Sequence, residues 1–216
     1  MASEKECYKD KKKTAPIRII GLTGCIGSGK SSVGRILEKL GCFRLDSDEL
    51  SREIMVPGSN LLKQITSVFG NKILYPDGTL HRKMLGQIVF SDPEKLKKLE
   101  SIVHPVLQNE ALKRLETAEY PAVYEVPLLF QTGQHQFTDL NVVVICPTEL
   151  RMQRVNKRDG LDEDSFNARL RNQAKEDWLI SQGDVIIEND MDEKVLYEKV
   201  LNLYTDIISG NVKKLY

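Results

Sequence analysis

Gly24-Cys25-Ile26-Gly27-Ser28-Gly29-Lys30-Ser31 places glycines, a lysine and a hydroxyl at the spacing that cradles phosphate. Glycine at 24, 27 and 29 lets the backbone curl with its N–H groups pointing inward, into space that side chains would block. A helix starting directly afterwards adds partial positive charge where phosphates would lie. Lys30 is then placed to reach the β- and γ-phosphates, and the Ser31 hydroxyl to ligate Mg²⁺. A glycine-rich turn that binds nothing is the alternative, and the neighbouring elements decide between the two.

Ile17 to Thr23 reads as a buried strand, and Ser31 to Leu40 as a helix with Val33, Ile36, Leu37 and Leu40 on its apolar side. A strand before and a helix after is the context this loop requires, so a triphosphate site is expected. Further strands are predicted over Cys42 to Leu45, Ala122 to Val126, Leu140 to Cys146 and Asp184 to Glu188, alternating with helices. That alternation predicts an α/β fold of three layers, with a five-stranded parallel sheet covered on both faces. Strands 1, 3, 4 and 5 read as the apolar runs of a fully buried sheet. Residues 48–118 show helical periodicity and read as a helical insertion, and 151–175 as a short helical lid broken at Asp159-Gly160. His104-Pro105 reads as the end of one helix and the start of the next. The core would comprise 17–47, 119–150 and 176–216, all within a single domain, behind a disordered polar tail at 1–16.

Composition limits the partners. The 216 residues carry 31 basic and 31 acidic side chains, so neither nucleic acid nor a membrane surface is an expected partner. The four cysteines, Cys7, Cys25, Cys42 and Cys146, are scattered without metal or disulfide spacing, which suits a reducing, cytoplasmic setting. Lys11-Lys12-Lys13 reads as part of the solvated tail. A monomer is expected, with a small homo-oligomer as the alternative.

Other clusters suit phosphoryl transfer. Asp46-Ser47-Asp48 follows strand 2, at the sheet edge where ligands of such folds bind. A carboxylate there can deprotonate an acceptor hydroxyl, or simply cap the next helix. Arg151, Arg154 and Arg158 share a helical face and can surround a migrating phosphoryl group; a solvated helix paired with Asp162, Glu163 and Asp164 is the alternative. Glu125 ends strand 3, where it can act through water on Mg²⁺ or be a polar residue at a buried edge. His104 can contact a substrate phosphate or cap a turn.

From Ile17 to Ile208 the chain resembles dephospho-CoA kinase. The resemblance is carried by Gly21 to Ser31, Leu45-Asp46-Ser47-Asp48, Phe69-Gly70, Leu80-His81-Arg82, His104-Pro105, Val126-Pro127-Leu128-Leu129-Phe130, Arg169 with Gln173, and Asp184 to Asn189. It implies transfer of the ATP γ-phosphoryl to the ribose 3′-hydroxyl of dephospho-CoA with Mg²⁺, the last step of coenzyme A synthesis. Asp46, Lys30 and Arg154 would then be catalytic. Gly24, Cys25, Ile26, Gly27, Ser28, Gly29, Lys30, Ser31, Ser32, Arg154, Arg158 and Asn189 would bind ATP, with Asn189 near the adenine. Asp46, Arg82, His104, Pro127 and Leu128 would bind the acceptor, and Ser31 would hold Mg²⁺ with Glu125 acting through water. The family usually has Gly at 25, Thr at 32, Ala at 47, Asp at 125 and Glu at 131. Gln131, lacking charge, is left out of the site.

Two other readings remain at this point. One is a kinase for a nucleoside monophosphate or small metabolite, against which the long insertion argues. The other is a triphosphate-binding switch, which is disfavoured because no guanine-reading Asn-Lys-x-Asp segment is read in the chain.

Overall fold

A computed structural model describes residues 17–171 and 173–214. The readings of 1–16 as a disordered tail, and of Cys7 and the lysine run within it, lie outside those residues. The described chain forms two compact units. One comprises residues up to Arg44 and from Glu119 onward; the other is Leu45–Ala118.

The first unit is built on a five-stranded sheet in the order β2-β3-β1-β4-β5. The strands are β1 (Ile19–Thr23), β2 (Phe43–Asp46), β3 (Ala122–Glu125), β4 (Leu140–Ile145) and β5 (Val185–Glu188). β1 pairs in parallel with β3 on one side and β4 on the other, with Leu22 opposite both Glu125 and Val142. The chain leaves β1 for β2 and β3 and later crosses to β4 and β5. The strand order thus reverses at β1, which is where open α/β sheets form their ligand crevice.

Pleating separates the two faces. Ile20, Leu22, Val123, Val142, Val144 and Ile187 pack against Val33 and Leu37 of α1 (Lys30–Lys39) and against Leu196, Val200, Leu203 and Ile207 of the C-terminal helix, Glu193–Ser209. Each such fully buried side chain contributes about 1.5–3 kcal/mol. On the opposite face, Gly21 leaves room for Leu129 and Thr138: a Cβ there would come within 2.9 Å of both. The sheet is therefore covered on both sides, as its apolar strands require.

β5 departs from the expectation of a fully buried strand. It lies at the sheet edge, with Ile187 buried, Val185 and Ile186 half-buried and Glu188 exposed. A short apolar run reads alike at an edge and at a centre, and only the pairing tells them apart.

The second unit holds four α-helices, α2 (Ser47–Ile54), α3 (Asn60–Phe69), α4 (Arg82–Phe90) and α5 (Pro93–Glu116). Leu61, Leu62, Ile65, Phe69, Leu85, Val89 and Val103 form its own core. Ser59 caps α3 through Leu62 N, and Asp92 caps α5 through Glu94 N and Lys95 N, with Pro93 in the first turn. The break expected at His104-Pro105 is absent: α5 runs through it. An interior proline removes one backbone hydrogen bond and crowds the preceding turn. Burial of Val103, Ala111 and Leu115, on both sides of the proline, favours the continuous helix.

The remaining helices belong to the first unit: α6 (Thr148–Asp159), α7 (Glu163–Arg171), α8 (Glu176–Gln182) and α9 (Glu193–Ser209). Gly160, in the left-handed region, ends α6 where the lid was expected to break. Among the described residues no helix is long and apolar enough to cross a membrane.

Cys25, Cys42 and Cys146 are buried free thiols. Burial pushes Cys42 up to about 11, and raises Cys25 and Cys146 as well, even beside the Arg151 guanidinium. Thiolate, the reactive form, is therefore scarce at neutral pH. At pH 8, alkylation of these three in the folded protein should run at least about tenfold slower than in urea, read by peptide mass mapping. Comparable rates at Cys25 would show that the phosphate loop opens readily.

Candidate active site

The loop expected to cradle phosphate follows β1 and turns into α1 at Lys30. Gly24, Gly27 and Gly29 have φ of 151°, 78° and 95°, a region closed to most side chains. At two of them space is equally restrictive. A Cβ on Gly24 would lie 2.2 Å from Val144 O, and one on Gly29 would lie 2.0 Å from Asn189 Nδ2. Gly29 occupies the N-cap of α1 without a capping side chain, leaving first-turn N–H groups for a ligand.

Lys30 Nζ donates to Gly24 O at 2.9 Å and to Cys25 O at 3.5 Å, lying back across its own loop. Gly27, Gly29, Lys30, Ser31, Ser32, Arg35, Arg154 and Arg158 line a cleft of about 250 Å³, with no acid among its lining residues. Arg154 Nη1 donates to Asn189 O at 3.0 Å, which ties α6 to the end of β5. Arg158 forms a two-bonded pair with Asp159, at 2.8 Å each. That hydrogen bonding raises the guanidinium pKa and lowers the carboxyl pKa. The expected alternative partners are not used: Asp162 instead accepts from Ser165 N at the start of α7.

Asn189 Nδ2 donates to Ser28 O at 2.8 Å, so the residue after β5 braces the loop. Asn189 also lines a neighbouring cleft of about 420 Å³ with Gly29, Ile36, Met191 and Tyr197. Met191 is 62% and Tyr197 42% exposed, leaving a thioether and an aromatic ring in the open. Across the loop, Gln173 Oε1 accepts from Ile26 N at 2.8 Å.

Glu125, 3% exposed, is held on both carboxylate oxygens. Ser31 Oγ donates to Oε1 at 2.6 Å and Arg44 Nη2 to Oε2 at 2.8 Å. Gly34 makes the space, since a Cβ there would sit 2.9 Å from Arg44 Nε and 3.0 Å from Glu125 Oε2. Arg44 thus compensates the buried carboxylate charge of Glu125. Replacing Arg44 by leucine would strand a buried charge and should cost roughly 3–5 kcal/mol in urea unfolding. A loss below about 1 kcal/mol would mean that the pair is solvated as surface pairs are.

Pro127 and Leu128 contribute carbonyls locally: Pro127 O accepts from Thr23 Oγ1 at 3.2 Å, and Leu128 O from Thr132 Oγ1 at 2.8 Å. The other expected residues, Asp46, Arg82 and His104, belong to the second unit. Asp46 ends β2 and caps α2, its Oδ1 accepting from Asp48 N at 2.8 Å and Glu49 N at 3.3 Å. The cap considered as the alternative is therefore formed. Arg82 opens α4, and both it and His104, exposed in the middle of α5, line one groove.

Arg35 and Arg44 were not singled out for these positions, whereas Arg151, read as sharing a cationic face with Arg154 and Arg158, is buried and does not line the cleft that they line. Arg35 carries a readable signal, a cation one turn beyond Lys30. Arg44 carries none, because its partner Glu125 lies on another strand; Arg151 donates to Thr148 Oγ1 at 2.8 Å within α6 and faces Glu176 of α8 at 3.8 Å. The reading that no guanine-reading segment is present is corrected: Asn156-Lys157-Arg158-Asp159 matches that pattern. Its side chains are committed to the exit of α6: Asn156 Nδ2 donates to Leu161 O at 2.8 Å and Asp159 is bound by Arg158.

The family model described as dephospho-CoA kinase matches residues 18–194. A dephospho-CoA kinase from Geobacter metallireducens is 39% identical over 197 residues, covering 89% of this chain and 98% of its own. A solved structure from Thermus thermophilus has a TM-score of 0.77 at 33% identity, over 89% of this chain and 98% of that one. A dephospho-CoA kinase from Campylobacter jejuni has a TM-score of 0.68 at 28% identity, over 90% and 98%. A shikimate kinase from Acinetobacter baumannii, at 23% identity and a TM-score of 0.51, shares the fold. With a triphosphate loop at the strand reversal, a cationic cleft around it and relatives spanning nearly their full length, the chain belongs to the dephospho-CoA kinase family.

Proposed function

We propose that the protein transfers the γ-phosphoryl group of ATP to the ribose 3′-hydroxyl of dephospho-CoA, giving CoA and ADP, the final step of coenzyme A synthesis. Family membership supports the reaction. The observation that carries it is the cleft in which Lys30, Arg35, Arg154 and Arg158 surround the first turn of α1. Phosphoryl transfer asks a protein mainly for positioning and for cations around the migrating group, and this cleft supplies both.

In this reading the loop amides from Gly24 to Ser32 hold the phosphates. Lys30 exchanges its carbonyl partners for phosphate oxygens, and Arg154 and Arg158 neutralise charge developing in transfer. The open cleft beside Asn189, Met191 and Tyr197 takes the adenine. Asp46 accepts the proton of the attacking hydroxyl, while Arg82 and His104 hold the acceptor, which Pro127 and Leu128 border.

The residues at Ser31 fit Mg²⁺. The donor set is oxygen, and the Ser31 proton is given to Glu125, which leaves the hydroxyl lone pairs for a cation. Such an ion is held by few protein groups together with substrate phosphates, and it would neutralise phosphate charge when bound. Glu125 would orient Ser31 and reach the ion through water.

We further read residues 17–216 as one kinase domain, monomeric, with neither nucleic acid nor membrane as a partner. The balanced charge supports this, and the buried free thiols suit the cytoplasm. The test is a mass-spectrometric assay with Mg²⁺-ATP and dephospho-CoA, with AMP and water as competing acceptors. CoA formation is expected. Transfer to AMP instead, or ADP release without CoA, would overturn the reading.

A further inference from the structure

Arg151 lies near the start of α6, 3% exposed, with its guanidinium charge buried. A buried cation is costly unless a counter-charge and hydrogen bonds satisfy it. Here that satisfaction is incomplete. Nη2 donates to Thr148 Oγ1 at 2.8 Å, but a hydroxyl brings no charge. The facing carboxylate, Glu176, stands 3.8 Å away, beyond hydrogen-bond distance. Nε and Nη1 have no hydrogen-bond partner among the described residues, nor has Glu176 Oε2.

The place of this charge matters as much. The phosphate loop rests against Arg151: a Cβ on Gly27 would lie 2.7 Å from Arg151 O and 3.0 Å from Arg151 Cβ. The guanidinium also acts on the thiol of Cys25, inside the loop, and on that of Cys146, after β4. The segment leading to Glu176 closes on the same part of the loop. Gln173 Oε1 accepts from Ile26 N, and Ala174 O faces Cys25 Sγ at 3.9 Å.

Charge at this spot is unbalanced. The ionised groups acting on the two thiols are Lys30, Arg151 and Arg154 against Glu176 and Asp190, and Asp190 is shared with Lys199 at 3.5 Å. Arg151 is absent from the residues that line the phosphate cleft, so a ligand in that cleft would not touch it. A buried cation behind the loop, short of counter-charge, calls for anions in front of the loop.

We propose that Arg151 is a positioning residue for the nucleotide, supporting the loop at Gly27 and drawing polyphosphate onto the loop amides by its charge from behind. This role rests on the triphosphate reading of the loop given above. Behind the loop the charge is little screened by salt. At an effective dielectric near 20, two unit charges about 20 Å apart still shift an equilibrium constant by about fourfold. The gain grows with ligand charge, so a triphosphate profits more than a diphosphate, and an uncharged nucleoside not at all. In the free protein the same charge is destabilising, and bound phosphates offset it.

The test measures binding of Mg²⁺-ATP, Mg²⁺-ADP and adenosine to the full chain by calorimetry. Arg151→Met keeps an unbranched side chain and removes the charge. It should weaken Mg²⁺-ATP about tenfold and Mg²⁺-ADP about threefold, and leave adenosine unchanged. Its melting temperature without nucleotide should equal or exceed that of wild type, because an apolar group in place of a poorly paired buried ion is neutral or stabilising. Arg151→Lys, which keeps the charge, should stay within about threefold of wild type for all three ligands. Arg151→Gln serves as the neutral variant if the methionine protein folds poorly. Equal weakening of all three ligands in the neutral variant, or a lysine variant as weak as the neutral one, would reduce Arg151 to packing and overturn the role. So would Mg²⁺-ATP affinity within about twofold of wild type in a folded neutral variant. These results would leave the kinase reading intact. Wild-type protein that binds adenosine as tightly as Mg²⁺-ATP would sink the triphosphate reading, and the role of Arg151 with it.

Discussion

Lys30→Ala should reduce CoA formation by about 10²–10³-fold, the scale of losing one preorganised charge donor at the transition state. The wild-type geometry explains why the loss should fall on turnover. Without nucleotide, the Lys30 ammonium donates to two carbonyls of its own loop, at 2.9 and 3.5 Å. A hydrogen bond from a charged donor contributes about 1.5–3 kcal/mol when buried, and less at a cleft, where ammonium and carbonyl can both turn to water instead. Unfolding free energy should therefore change by no more than about 1–2 kcal/mol. During transfer the same ammonium would face phosphate oxygens bearing full charge, in a cleft lined by Arg35, Arg154 and Arg158. Turnover measured by mass spectrometry beside urea unfolding separates the two effects. Activity within about fivefold of wild type would mean that the arginines alone carry the charge.

Asp46→Asn should lower kcat by about 10²–10⁴-fold, the range for removing a general base. The substitution is informative because Asp46 is also the N-cap of α2, accepting from Asp48 N and Glu49 N. Asparagine caps as well as aspartate, so the helix start survives while proton-accepting capacity is lost. KM for ATP and dephospho-CoA should stay within a few-fold, because the missing interaction belongs to the transition state. Near-normal kcat in this variant would show that Asp46 is not the general base. Asp46→Ala, which removes cap and base together, should add about 1 kcal/mol of destabilisation.

The phosphate loop was legible in the sequence because its determinants are local. Three glycines with positive φ, a lysine and a hydroxyl fall within eight consecutive residues between a strand and a helix. The strand count, the helical periodicity of residues 48–118 and the break at Asp159-Gly160 were legible for the same reason: each rests on periodicity or turn chemistry within a few residues. Residues 104 and 105 misled, because a proline signal acts locally whereas α5 is held by buried side chains on both sides of it. The edge position of β5 was likewise hidden, since pairing is a relation between distant segments.

The sequence by itself determined the loop, the element types and the family, all of which are written in short-range patterns. Tertiary structure alone decided what those patterns meet. Arg44, 81 residues from Glu125, neutralises it beneath Ser31. Asn189, 161 residues from Ser28, fills the place a side chain on Gly29 would occupy. Arg151 of α6 faces Glu176 of α8 where the loop packs at Gly27. Such contacts depend on which strand lies beside which and how helices cross, and no run of neighbouring residues encodes either.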